Sequence, residues 1–167
     1  MKSLLFLATM LVVGMMATPS SAQLAKEGST SGTYTSYGTV KVTPVGKDRL
    51  LSTFDENGLS VGQGVGDHMT WHCWGMGDYT NASGQNHGHC VGIDPGGDQI
   101  ALDFADSEKH APDQKNWNGA AKYTTGTGKY AGISGGFNYV VRGNEFRPGT
   151  EGTYLSYVTS QGSYKLP

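Results

Sequence analysis

Short runs in which apolar and polar residues alternate, punctuated by glycine and other turn formers, fill most of this chain and predict strands rather than helices. Tyr34 to Val45 carries Tyr37, Val40 and Val42 before Pro44 and Gly46 end it. Asp48 to Glu56, with Leu50, Leu51 and Phe54, closes at Asn57-Gly58, a strong hairpin-turn pair, and Leu59 to Val65 reads as the return strand. Two arms spanning about 66 to 93 flank Thr80-Asn81-Ala82-Ser83-Gly84 and predict a second hairpin. Asp94-Pro95-Gly96-Gly97-Asp98 then turns into Gln99 to Ala105, where Ile100, Leu102 and Phe104 share one face. Residues 106 to 118 are the most polar stretch and follow neither period, which predicts a surface loop able to serve as a flap over a cavity mouth. Strands resume at Gly119 to Thr125, Phe137 to Arg142, Gly152 to Ser160 and Tyr164 to Leu166. Eight or nine short strands joined by tight turns leave a sandwich or a closed barrel, and closure removes exposed edges. The expected fold is all-β: a single antiparallel β-barrel, eight-stranded by the count adopted here, wide enough to be filled by side chains or to hold one small ligand.

Composition agrees with strands, since the 26 glycines and nine tyrosines among 167 residues suit bulges, tight turns and pleated surfaces. Residues 1–22 read as a secretory signal peptide: Lys2 supplies the charge, Leu4 to Met16 the apolar stretch and Ser20-Ser21-Ala22 a small-residue cleavage site. Residues 23–167 then form one domain, secreted or periplasmic, with no membrane span because the apolar run falls short of the ~20 residues a span requires. A formal charge of −2 without a concentrated basic face argues against nucleic-acid partners. No nucleophile elbow, phosphate loop or dinucleotide fingerprint is present.

The densest chemistry lies between residues 68 and 90, which hold four of the five histidines and both cysteines. If the hairpin turns between Asn81 and Ala82, Cys73 faces Cys90 directly, and export to an oxidising compartment favours a disulfide over thiolate ligands. Side chains alternate along strands, so His72, Trp74 and Met76 share a face with His87, His89 and Val91, opposite the cysteines, and Trp71 falls on the other face from Trp74. The expectation is that this histidine face lines the lumen as a ligand-binding wall, with His72 and His89 as candidate proton-transfer groups near pH 6 to 7. Metal ligation is not expected, since no carboxylate joins the face except Asp67 or Asp78 at the strand ends, and no cofactor is implied. Asn81-Ala82-Ser83 is a glycosylation acceptor if the host glycosylates.

Gly126-Thr127-Gly128-Lys129-Tyr130-Ala131-Gly132-Ile133-Ser134-Gly135-Gly136 resembles the glycine-rich loop that precedes a late strand in allene oxide cyclase-like and dirigent-like barrels. The resemblance covers roughly residues 120 to 142 and implies a fold. Such barrels include cofactor-free cyclases and coupling proteins, and no catalytic set transfers residue by residue. Three functions follow as expectations: an exported barrel binding a small, partly apolar molecule in its lumen, a cofactor-free cyclase or isomerase using a lumenal histidine, or an envelope structural protein with a filled barrel.

Overall fold

A computed structural model describes residues 24–142 and 152–167. The leader expected at residues 1–22 lies outside the described residues. Eight antiparallel strands run in chain order around a closed barrel: β1 (Glu27–Val45), β2 (Arg49–Gln63), β3 (Thr70–Thr80), β4 (Ser83–Ile93), β5 (Gln99–Asp106), β6 (Asn116–Gly126), β7 (Ser134–Arg142) and β8 (Gly152–Lys165). Each pairs with its sequence neighbour, and β8 returns to pair with β1 from Glu27↔Lys165 to Val40↔Gly152. Among the described residues, the one helical element is a 3-10 turn at Gly128–Tyr130, and no helix is long and apolar enough to cross a membrane.

The hairpin of β3 and β4 has the register read from sequence, with Cys73↔Cys90 and Trp74↔His89 opposed. Asn81 and Ala82 both take positive φ, 53° and 58°, as a two-residue turn matched to strand twist requires. The cysteines form a disulfide with Cα atoms 4.1 Å apart. Elsewhere, Asp94 holds its turn by accepting from the amides of Gly96 and Asp98 at 2.8 and 3.0 Å.

Asn57-Gly58 is not a turn. Both residues lie in the middle of β2, paired with Tyr37 and Ser36 on one side and with His72 and Trp71 on the other. The glycine serves packing: a Cβ at Gly58 would come within 2.4 Å of the Tyr34 ring and of the Thr35 carbonyl oxygen. Gly152 to Ser160 and Tyr164, expected as two strands, likewise belong to the single strand β8, and the strand count is eight. The same device recurs inside the barrel, where Phe54 lies against Gly75, Phe104 against Gly88, Trp71 against Gly92 and Tyr139 against Gly119. Large rings thus fill a narrow interior by crossing onto neighbouring strands that present no side chain.

Hairpin connections alternate between the two barrel ends. At one end Val65, Met69, Ile100 and Ile133 are buried, Met69 and Ile100 completely, so that end is an apolar plug. Gly128, Gly132 and Gly135 of the glycine loop adopt positive φ there and turn the chain into β7. At the other end the loop 107–115 folds back over the barrel. Its His110 pairs with Gly84 through two backbone hydrogen bonds of 3.0 and 2.9 Å. This is the flap expected from its polarity, and it begins one residue later and ends three earlier than the sequence boundary, because Asn116–Asn118 join β6.

Gly58→Ala should destabilise the barrel by about 1–3 kcal/mol in denaturant titration, the usual cost of forcing extra volume into a packed site. An unchanged midpoint would mean that Tyr34 does not pack on Gly58 as described.

Candidate functional site

Barrel closure assigns every strand one inward parity. On β3 and β4 the inward set is Trp71, Cys73, Gly75, Gly77 and Tyr79 facing Gly84, Asn86, Gly88, Cys90 and Gly92, so the disulfide lines the lumen. The histidine set expected there stands on the outer surface. His72, Trp74, Met76, His87 and His89 are exposed and Val91 is half-buried. His72 pairs with Asp55 at 2.9 Å and His89 with Asp103 at 2.7 Å, all four side chains being roughly half exposed, and Trp74 lies between the two imidazoles with ring centroids 5.1 and 6.0 Å away. The alternation was read correctly and the choice of face was not. A disulfide, an indole and a phenol bury at lower desolvation cost than imidazoles, which here stay half exposed beside carboxylate partners.

The lumen instead encloses a cavity of about 190 Å³, walled by Tyr34, Phe54, Phe104, Tyr139 and Tyr154 among other residues, with the flap adding His110 and Pro112. Two carboxylates enter it from different arcs. Asp106, the last residue of β5, is buried and saturated: Tyr139 donates to Oδ1 at 3.0 Å, and the Asn86 amide at 2.7 Å and His110 Nε2 at 2.8 Å reach Oδ2. His110 Nδ1 donates to the Ala111 carbonyl at 2.9 Å, and its ring stacks on Trp117 with centroids 4.7 Å apart. Burial acts to lower the His110 pKa, but the hydrogen bonds to Asp106 and Ala111 outweigh it and the value is raised. With a carbonyl at one nitrogen and a carboxylate at the other, the protonated ring satisfies both contacts and no nitrogen is left for a substrate. Tyr79 extends the network by donating to Asn86 Oδ1 at 2.8 Å.

Glu56 enters from β2, on the arc formed by β8, β1 and β2. Ser36 donates to its Oε2 at 2.6 Å, and the Tyr154 and Tyr34 hydroxyls lie close enough to act on the carboxyl, Tyr34 itself donating to Cys73 Sγ at 3.8 Å. Gly38 on β1 lies between Glu56 and Tyr154, and a Cβ there would stand 2.6 Å from the Glu56 Cβ and 2.8 Å from the Tyr154 ring. Desolvation pushes the Glu56 carboxyl above the ordinary range, and its hydrogen bonds only partly oppose this. Burial likewise raises Tyr34, Tyr154 and Tyr139, each also facing a carboxylate, so these phenols stay protonated donors; Tyr139 feels both Asp106 and Glu56.

Sequence reasoning left His110, Asp106 and Glu56 out of the site. The signal for two of them was present: Asp106 continues the Ile100, Leu102, Phe104 parity, and Glu56 continues that of Phe54. His110 carries no periodic signal, because a loop rather than a strand delivers it. Among the described residues, no cluster of three or more His, Cys, Asp or Glu side chains is arranged to hold a metal ion.

No family model matches the sequence, and no curated protein matches it. The structure is similar to that of the pterocarpan synthase dirigent protein GePTS1, with a TM-score of 0.50 and 11% identity over 87% of this chain and 90% of that one. At that identity the likeness establishes fold alone. The chain is an antiparallel eight-stranded closed barrel whose fold resembles that of a dirigent protein, the fold that the glycine loop implied.

Because the folded-state pKa of His110 is raised, the Asp106 pair stabilises the closed flap fully below about pH 6.5 and loses that contribution as pH rises through the folded value. Hydrogen-exchange protection of the Gly84 and His110 amides, corrected for intrinsic rates, should therefore fall as pH rises above neutrality. His110→Gln should lower protection and flatten the profile. Protection in the native protein that does not vary with pH would remove the ion pair from the account.

Proposed function

We propose that this chain is exported and binds one small, partly apolar molecule inside its barrel. The observation that carries the reading is the cavity of about 190 Å³, aromatic-walled and furnished with a few converging polar groups, the usual constitution of a small-molecule site. Its size supports a ligand of about one ring, since an engineered apolar cavity of ~150 Å³ takes up benzene. Export draws support from the leader-like residues 1–22 and from the disulfide, which suits an oxidising compartment. Binding rather than histidine-driven turnover is favoured because both His110 nitrogens are occupied and His72 and His89 lie on the far side of the wall.

Benzyl alcohol, a neutral one-ring probe, should bind with measurable heat in calorimetry. Ala121→Phe, which fills the cavity from β6, should weaken binding at least tenfold while the melting transition is kept. His72→Ala and His89→Ala should leave the affinity within about twofold of the parent. Binding lost in the outer-face variants and retained in Ala121→Phe would move the site from the lumen to the surface.

A further inference from the structure

The two lumenal carboxylates differ in their partners. Asp106 has the His110 imidazolium beside it, whereas the groups acting on Glu56 are Ser36, Tyr154, Tyr34 and the neighbouring Asp55, none of them cationic. No lysine or arginine lines the cavity among the described residues. Among the described residues, with both acids ionised and His110 charged, the lining carries one uncompensated negative charge, at Glu56. The groups facing Glu56 on the adjoining strands are Tyr34 and Ser36 of β1 and, beyond them, Tyr154 of β8; on the β3 side its register partner is Cys73, whose disulfide does not titrate. Across the lumen the titratable groups are Tyr139 and the Asp106–His110 pair.

We propose that the lumen takes a small organic cation, an amine carrying about one ring, with its ammonium group hydrogen-bonded to the Glu56 carboxylate. This rests on the lumen being the binding site and names the ligand class for it. Three features of the cavity support a cation over a neutral or anionic ligand. The phenol and phenyl faces of Tyr34, Phe54, Tyr139 and Tyr154 offer the negative side of their quadrupoles to positive charge in a desolvated space. An ammonium supplies a counter-charge that Glu56 lacks among the described residues, converting a half-buried acid that resists ionisation into a hydrogen-bonded pair. A carboxylate ligand meets the opposite situation, because the cavity offers two acids and a single imidazolium already engaged by one of them. Gly38 and Ser36 then acquire a purpose in recognition: the bare glycine lets Tyr154 close on Glu56, and the serine hydroxyl fixes the carboxyl through Oε2.

Burial acts to raise the Glu56 pKa whereas a bound ammonium ion favours the ionised carboxylate, so uptake of the ligand releases whatever proton Glu56 still holds, and affinity weakens as pH falls. The test compares benzylammonium, benzyl alcohol and benzoate, three probes of nearly equal shape and different charge, by calorimetry on the native protein at two pH values and in buffers of different ionisation enthalpy. Benzylammonium should bind at least tenfold tighter than benzyl alcohol at pH 8, lose most of that advantage by pH 5, and release up to one proton; benzoate should bind at least tenfold more weakly than benzyl alcohol. In Glu56→Gln the amine preference should vanish while benzyl alcohol affinity stays within about threefold. If benzyl alcohol binds as tightly as benzylammonium in the native protein, or if the preference persists in Glu56→Gln, the cation assignment is wrong and lumenal binding stands. If none of the three binds the native protein at millimolar concentration, the lumenal reading falls with it. The native-protein series decides the matter even if Glu56→Gln does not fold.

Discussion

Closure of β8 onto β1 is the constraint from which the rest follows. In an open sheet, alternation sorts side chains into two faces without saying which is dry. Once Glu27 to Val40 pairs with Gly152 to Lys165, one parity of every strand is committed to a space about as wide as two side chains, and the other to the exterior. Volume then becomes the controlling quantity. Eight strands of large inward residues would not fit, and the interior is accommodated by opposing each ring with a glycine on the next strand, as Phe104 with Gly88 and Tyr139 with Gly119. What survives as empty space is the volume that this interleaving leaves unfilled between the apolar plug and the flap.

How much of this was legible beforehand depended on whether a signal was local. The Asn81-Ala82 turn and the Cys73–Cys90 pairing follow from counting residues, and they are present as counted. The face assignment needed knowledge of all eight strands at once, because a histidine row and a disulfide row are both plausible interiors when one hairpin is viewed alone. Asn57-Gly58 shows the same limit from another direction. It has the composition of a turn, yet Gly58 is there for the Tyr34 ring, a contact with β1 that no reading of residues 48 to 65 contains. Tertiary packing overrode a strong local preference.

The flap and the wall divide the polar work between them. His110 is the histidine that lies outside the hairpin, and it is the one the fold buries, held by a backbone bridge to Gly84 and by Asp106. A buried ion pair of this kind contributes little net stability against a well-packed apolar alternative, but removing one partner is costly, so it favours one closed arrangement of residues 107–115 over slipped ones. The polarity that marked this segment as a loop thus conceals its anchoring residue.

Glu56 stands in contrast, and the contrast argues for a role beyond folding. A carboxyl that burial drives toward its neutral form lowers stability wherever the solvent would ionise it, and a glutamine could keep a hydrogen bond to Ser36 without that cost. Asp106 escapes the penalty through His110, while among the described residues the partners of Glu56 are hydroxyls. Polar groups that weaken a fold and are nevertheless provided with a glycine gap, a serine donor and two tyrosines are the pattern expected where stability has been exchanged for recognition. On the proposed reading, the recognition chemistry of the barrel is concentrated on the β8–β1–β2 arc, opposite the wall that the flap secures.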